Sequence, residues 1–69
     1  MQGFTGYFSI NGGERIIGWS AKTHNAAVRG TRRLFSGQGY RLASDNTGIG
    51  ALILENGSGN RLVITVENN

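Results

Sequence analysis

The sequence predicts a small α+β fold: an antiparallel sheet of about five strands with one helix packed on one face. Three observations carry this expectation. The 69 residues contain a single stretch of helical periodicity, Ser20 to Gly37, while most of the remainder alternates in period two between turn signals. Twelve glycines and no proline supply many tight turns and strand bends, more than a helical bundle would use. The apolar runs are short and joined by compact polar connections, which favours hairpins and hence antiparallel pairing. A chain of this length forms one domain, and it buries only about 60% of the surface its unfolded state exposes.

Gly3 to Ile10 alternates Phe4, Gly6, Phe8 and Ile10 on one side with Thr5, Tyr7 and Ser9 on the other, the pattern of a half-buried strand. Asn11-Gly12-Gly13-Glu14 is a hairpin turn, because Asn and Gly tolerate positive φ. Arg15 to Ser20, with Ile16, Ile17 and Trp19, returns as the second strand. The helix runs from about His24 to Ser36. Thr23 is a good N-cap, its hydroxyl accepting from a free backbone N–H of the first turn. Gly37 suits the left-handed position just past the last turn. At 100° per residue, Ala27, Val28, Thr31, Leu34 and Phe35 share one arc, and Arg29, Arg32 and Arg33 share the opposite one with Asn25 and Ser36. Gly30, at the edge of the buried arc, costs roughly 1 kcal/mol relative to Ala. Close approach to a strand would account for that penalty.

After the break at Gly37-Gln38-Gly39, Tyr40 to Ser44 is a short third strand and Asp45-Asn46-Thr47-Gly48 a turn. Ile49 to Glu55 is a fourth strand, Asn56 to Asn60 a loop, and Arg61 to Glu67 the last strand. Met1, Gln2 and the last two Asn residues read as fraying ends. One helix over such a sheet makes a two-layer sandwich. Phe4, Phe8, Ile10, Leu42, Leu52, Leu54, Leu62, Ile64 and Val66 are the expected helix-side core. Tyr7, Ile53 and Val63, with Ile16 or Trp19, are expected on the other face, where no second layer follows. A contiguous apolar patch there would mark an interface, with a second copy in a homodimer or with another protein.

Composition excludes several classes. Without cysteine the chain has no disulfide framework and no thiolate metal site. No run approaches the roughly 18 apolar residues of a membrane span, and MQGFTGYFS lacks the basic and apolar regions of a signal peptide. A soluble, intracellular protein without membrane partners is expected. His24 is the lone histidine, and the acids are spread over separate turns and strands with no carboxylate pair or oxygen-rich metal cage. Gly57-Ser58-Gly59 opens a strand and therefore lacks the helix N-terminus of a phosphate-cradling loop. These features describe a non-enzymatic binding module without cofactor or metal.

Seven Lys and Arg against four Asp and Glu give a net charge of +3 and a pI near 10.2. All the cations but Lys22 are arginines, suited to bidentate contacts with phosphate or carboxylate. Arg29, Arg32 and Arg33 stand at i, i+3 and i+4, with Lys22 just before the helix. Such a face keeps a small domain soluble, grips phosphates without reading sequence, or binds an acidic protein surface. Tyr7, Trp19 and Tyr40 complete the candidate partner-binding set, as stacking groups beside arginines or as interface anchors. No RNP-like aromatic motif, helix-turn-helix or zinc-ligand set is present.

The run S-A-K-T-x-x-A-A-x-R-x-x-R-R-L-F from Ser20 to Phe35 resembles a helix start found in small phage and mobile-element proteins. Together with the order of elements, it is similar to some type I anti-CRISPR inhibitors, tiny hairpin–helix–sheet proteins poor in cysteine. The likeness covers the helix and element order, not the strand sequences. It implies a phage-encoded inhibitor acting in the bacterial cytoplasm. Such a protein binds a subunit of the crRNA-guided surveillance complex and keeps target DNA out, with no chemistry and no cofactor. A basic inhibitor would meet acidic rims of that complex or its guide RNA backbone. The alternative from the residues alone is a small basic phage DNA- or RNA-binding protein, dimeric if its sheet face pairs with itself.

Overall fold

A computed structural model describes residues 3–46 and 51–69. Within them the chain forms β1 (Phe4–Ile10), β2 (Ile16–Ala21), α1 (His24–Arg33), β3 (Arg41–Asn46), β4 (Ala51–Glu55) and β5 (Arg61–Asn68). The strands make one antiparallel sheet in the order β2-β1-β5-β4-β3. The fold is the expected α+β class, with α1 laid across one face.

Local chemistry explains most boundaries. Asn11 and Gly12 both adopt positive φ, 55° and 73°, and the Gly13 N–H donates to the Ile10 carbonyl at 3.0 Å. That backbone twist matches the right-handed twist of the flanking strands. Asn11 also ties this turn to the start of β5: its side-chain oxygen accepts from the Arg61 N–H at 2.7 Å and its amide donates to Asn60 at 2.9 Å. In the 56–60 loop, Asn56 Oδ1 accepts from the N–H groups of Ser58 and Asn60, both at 3.1 Å.

The first and last strands lie side by side at the centre, with Phe4 opposite Asn68 and Ile10 opposite Leu62. This pairing corrects the expectation of a frayed C-terminus. Asn68 is in the strand, the Asn69 N–H donates to the Gly3 carbonyl at 2.8 Å, and Thr5 donates its hydroxyl to Asn69 Oδ1 at 2.6 Å.

Registration aligns the core in rows. Ile16, Phe8, Ile64 and Leu52 form one row, and Ile10, Leu62, Leu54 and Leu42 the next, all on the helix side. Leu52, Leu54, Leu62 and Ile64 are buried, with Phe8, Val28, Phe35 and Tyr40 packed against them. Phe8–Phe35 and Phe35–Tyr40 meet edge to face at 4.8 and 5.8 Å between centroids, favoured geometries for aromatic pairs. Phe4 and Val66 are half-buried, and Phe4 meets the His24 ring edge-on at 5.8 Å.

Two members of the expected core are instead exposed, Ile10 and Leu42, the latter at 47%. The helix packs on β2, β1 and β5 and so leaves the β3 edge uncovered, while Ile10 stands at the end of its strand. The expected turn at Asp45-Asn46 is corrected too, because both residues belong to β3. Thr47, Gly48 and the expected start of the fourth strand at 49–50 lie outside the described residues.

The helix ends three residues before the expected Ser36. Leu34 is its C-cap, and Leu34, Phe35 and Ser36 donate to carbonyls three residues back, at 3.0–3.2 Å. These tightened turns supply partners to the last carbonyls. Gly37 and Gly39 then take φ of 83° and 77°. Leu34, expected on the buried arc, is 48% exposed: still helical in φ and ψ, it continues the Ala26–Gly30 face of α1 and lines the cleft beside Trp19.

Candidate functional site

Charge divides between the two faces of the molecule. On the outer sheet face, away from the helix, Arg15 pairs with Glu67 at 2.8 Å and Arg61 with Glu55 at 3.0 Å. Arg15 also lies over the Tyr7 ring, 3.9 Å from its centroid. On the helix side Arg29, Arg32 and Arg33 are all exposed, and the first turn of α1 carries no acid. None of the three forms an ion pair among the described residues. Among the described residues these guanidinium groups are therefore not ion-paired, although Asp45 of β3 lines a cleft of about 250 Å³ together with Arg29 and Arg32.

Three glycines set the architecture beside this ridge. A Cβ on Gly6 would run into Thr31 Oγ1, and one on Gly18 would lie 2.7 Å from Thr31 Cγ2. Both glycines therefore make room for Thr31, which is fully buried between helix and sheet. Gly30 does the reciprocal service on the helix. A Cβ there would overlap Cδ1 and Cγ of Trp19 and stand 2.7 Å from Nε1, the position of a point above the face of the five-membered ring. The Gly30 penalty visible in the sequence thus corresponds to an indole lying on the helix backbone.

A bulge aims that indole. Thr5 pairs with Ser20 and Tyr7 with Ile17, so Gly6 alone opposes both Gly18 and Trp19. An extra residue in one strand bends it and re-aims a side chain, and here Trp19 turns to the helix side. Its backbone N–H, released from regular pairing, donates to Thr31 Oγ1 at 3.1 Å. The expectation that Trp19 or Ile16 lies on the outer face is corrected accordingly. Ile16 shares the Phe8 row on the helix side, and Ile17, paired with Tyr7 and 64% exposed, takes the outer place.

Trp19, Ala26, Arg29, Gly30, Arg33 and Leu34 line a cleft of about 390 Å³. A second depression of about 430 Å³, on the other side of the arginines, runs past Arg32 and Phe35 to Tyr40. Arg29 and Arg33 border both. The arginines therefore form a ridge with one aromatic cleft on either side. An indole and a phenol flanking guanidinium groups suit a ligand that is both planar and anionic.

The candidate set is divided by this geometry. Arg29, Arg32, Arg33, Trp19 and Tyr40 are brought together. Lys22 is exposed on the connection between β2 and α1 and lines neither cleft. Tyr7 lies on the opposite face of the sheet under Arg15 and does not join the ridge. Leu34 and Phe35 belong to the site lining but read from the sequence as core; Gly30 signalled close approach to a strand without naming Trp19 as the partner. Among the described residues no group of three His, Cys, Asp or Glu side chains could hold a metal, and no helix is long and apolar enough to cross a membrane.

Compared with known proteins, the chain matches no family model, no curated protein and no solved structure.

Proposed function

We propose that this protein is a non-enzymatic binding module for nucleic acid, acting in the cytoplasm of a bacterial host and gripping phosphates with the arginine ridge of α1. The observation that carries this reading is the set of three exposed guanidiniums on one helix face, without an ion pair among the described residues and bordered by Trp19 and Tyr40. Phosphate contacts dominate affinity in such an interface and make it strongly dependent on salt, because bound counterions are released. Neutralising three phosphates of a duplex gives a slope of about −3 in log K against log salt. Fluorescence anisotropy with labelled duplex and single-stranded DNA at two salt concentrations tests this. Affinity that collapses with salt and falls with Arg32→Glu or Arg33→Glu is the expected result. No binding of either form at low salt rejects the reading.

A second reading is inhibition of a type I CRISPR surveillance complex, as the resemblance in the helix implies. It draws support from the outer sheet face, where half-buried Tyr7, Ile53 and Val63 and exposed Ile17 have no covering layer among the described residues. Such a surface suits contact with another protein. This reading expects tight binding to the multisubunit effector and little affinity for bare DNA, so a pull-down with the effector separates the two.

A further inference from the structure

We infer that the Trp19 cleft is a stacking site for an unpaired nucleobase, which makes a single strand the preferred ligand over a duplex; this rests on the reading of the ridge as a phosphate grip. The indole is positioned by the fold. One face rests on Gly30, the strand bulge sets its direction, and its backbone N–H is held by Thr31. A platform fixed before binding loses little conformational freedom when a ligand settles on it.

The same indole is not consumed by the fold. Trp19 remains 51% exposed although the helix covers one ring face, so the opposite face and the rim are what solvent reaches. A tryptophan serving the core alone would be turned inward over the apolar rows, where Phe35 and Tyr40 sit instead.

The surroundings supply the second half of a nucleotide's chemistry. Arg29 and Arg33 line the same cleft one helical turn apart, with about 5–6 Å between Cβ atoms at that spacing. A base stacked on Trp19 would have its flanking phosphates within reach of that ridge. In a duplex both faces of every internal base are occupied by neighbours, and an indole resting on a helix cannot enter the stack. A single strand can splay a base outward onto it. An acidic peptide would satisfy the arginines but brings a planar group to the ring only where an aromatic residue falls beside its acids, whereas every nucleotide carries a base next to its phosphate.

Trp19 is the sole tryptophan, so its emission reports on this site without labels or substitutions. The test titrates the native protein with an oligothymidylate of about 12 nucleotides, a length within the usual site sizes, following tryptophan emission and the anisotropy of a labelled strand together. Expected are saturable quenching that tracks the anisotropy curve and tighter binding of the strand than of a duplex of equal length. Trp19→Leu, shown to be folded by circular dichroism, should weaken strand binding about tenfold or more. Strand binding with unchanged emission, or equal affinity for duplex, overturns the stacking site while leaving the phosphate grip standing. Absence of binding to both forms overturns the grip and the stacking site with it. If Trp19→Leu fails to fold, the quenching of the native chain decides.

Discussion

Thr31 links the helix, the bulged strand and the tryptophan. Its methyl and hydroxyl occupy the space that Gly6 and Gly18 leave open, and its oxygen accepts the Trp19 N–H at 3.1 Å. Valine has nearly the same shape but cannot accept that bond. A buried N–H left unpaired costs about 1–3 kcal/mol, and the part-buried Trp19 N–H falls toward the lower end of that range. Thr31→Val should therefore lower unfolding free energy by about that amount in urea titrations, with an unchanged slope. Thr31→Ser, which keeps the oxygen, should retain the hydrogen bond and lose only the methyl packing. Comparing the two variants separates the bond from the packing. In a domain this small, 1–3 kcal/mol is a large share of total stability.

The helix owes its start to one side chain. Thr23 is extended, with φ −125° and ψ 155°, and its hydroxyl accepts from the Ala26 N–H at 3.1 Å. No acid in the first turn assists it, so the cap has no electrostatic substitute. Thr23→Ala should cost about 1 kcal/mol, measured as a lowered urea midpoint. Arg32 and Arg33, in the last turn, face the negative end of the helix dipole, which favours cations there. The ridge thus sits where a helix tolerates positive charge best. The short length of α1 follows from its tertiary role. It spans the β2-β1-β5 half of the sheet, and the following turns carry Phe35 and Tyr40 over the rest of the core.

At the scale of the whole molecule, the ion pairs among the described residues lie on the outer sheet face. Arg15 and Arg61 are paired with carboxylates there, while the helix arginines form no such pair among those residues. Overall charge alone would make any lost cation equally important to binding a polyanion. The observed division expects otherwise. Arg33→Gln should weaken nucleic-acid affinity several-fold and flatten its salt dependence by about one unit of slope on a duplex. Arg61→Gln should change affinity less than twofold, although it removes the same charge. Equal effects from both would show that net charge, not the ridge, governs binding. The exposed Arg61–Glu55 pair contributes little to folding, and Arg33 is in no ion pair among the described residues, so neither variant should confuse the comparison through stability.

The sequence by itself determined the class of the fold, the order of its elements, the Thr23 cap, the hairpin at Asn11-Gly12 and the opposed apolar and arginine arcs of the helix. Each depends on spacing or on a residue's own backbone preference, and such information is local. It also exposed Gly30 as a residue needing an explanation. Tertiary structure alone decided the strand order, which places the first and last strands together and fixes the C-terminal Asn69. It also decided which aromatics accompany the arginines. Simple alternation could not assign Trp19 to the helix side, because the bulge opposite Gly6 shifts the pattern by one residue, and a one-residue shift exchanges the faces of a strand. Tyr7, with no bulge beneath it, kept its alternation and went to the other face. The candidate site was half legible for this reason: its charges follow helical periodicity, whereas its stacking surface depends on how two elements meet.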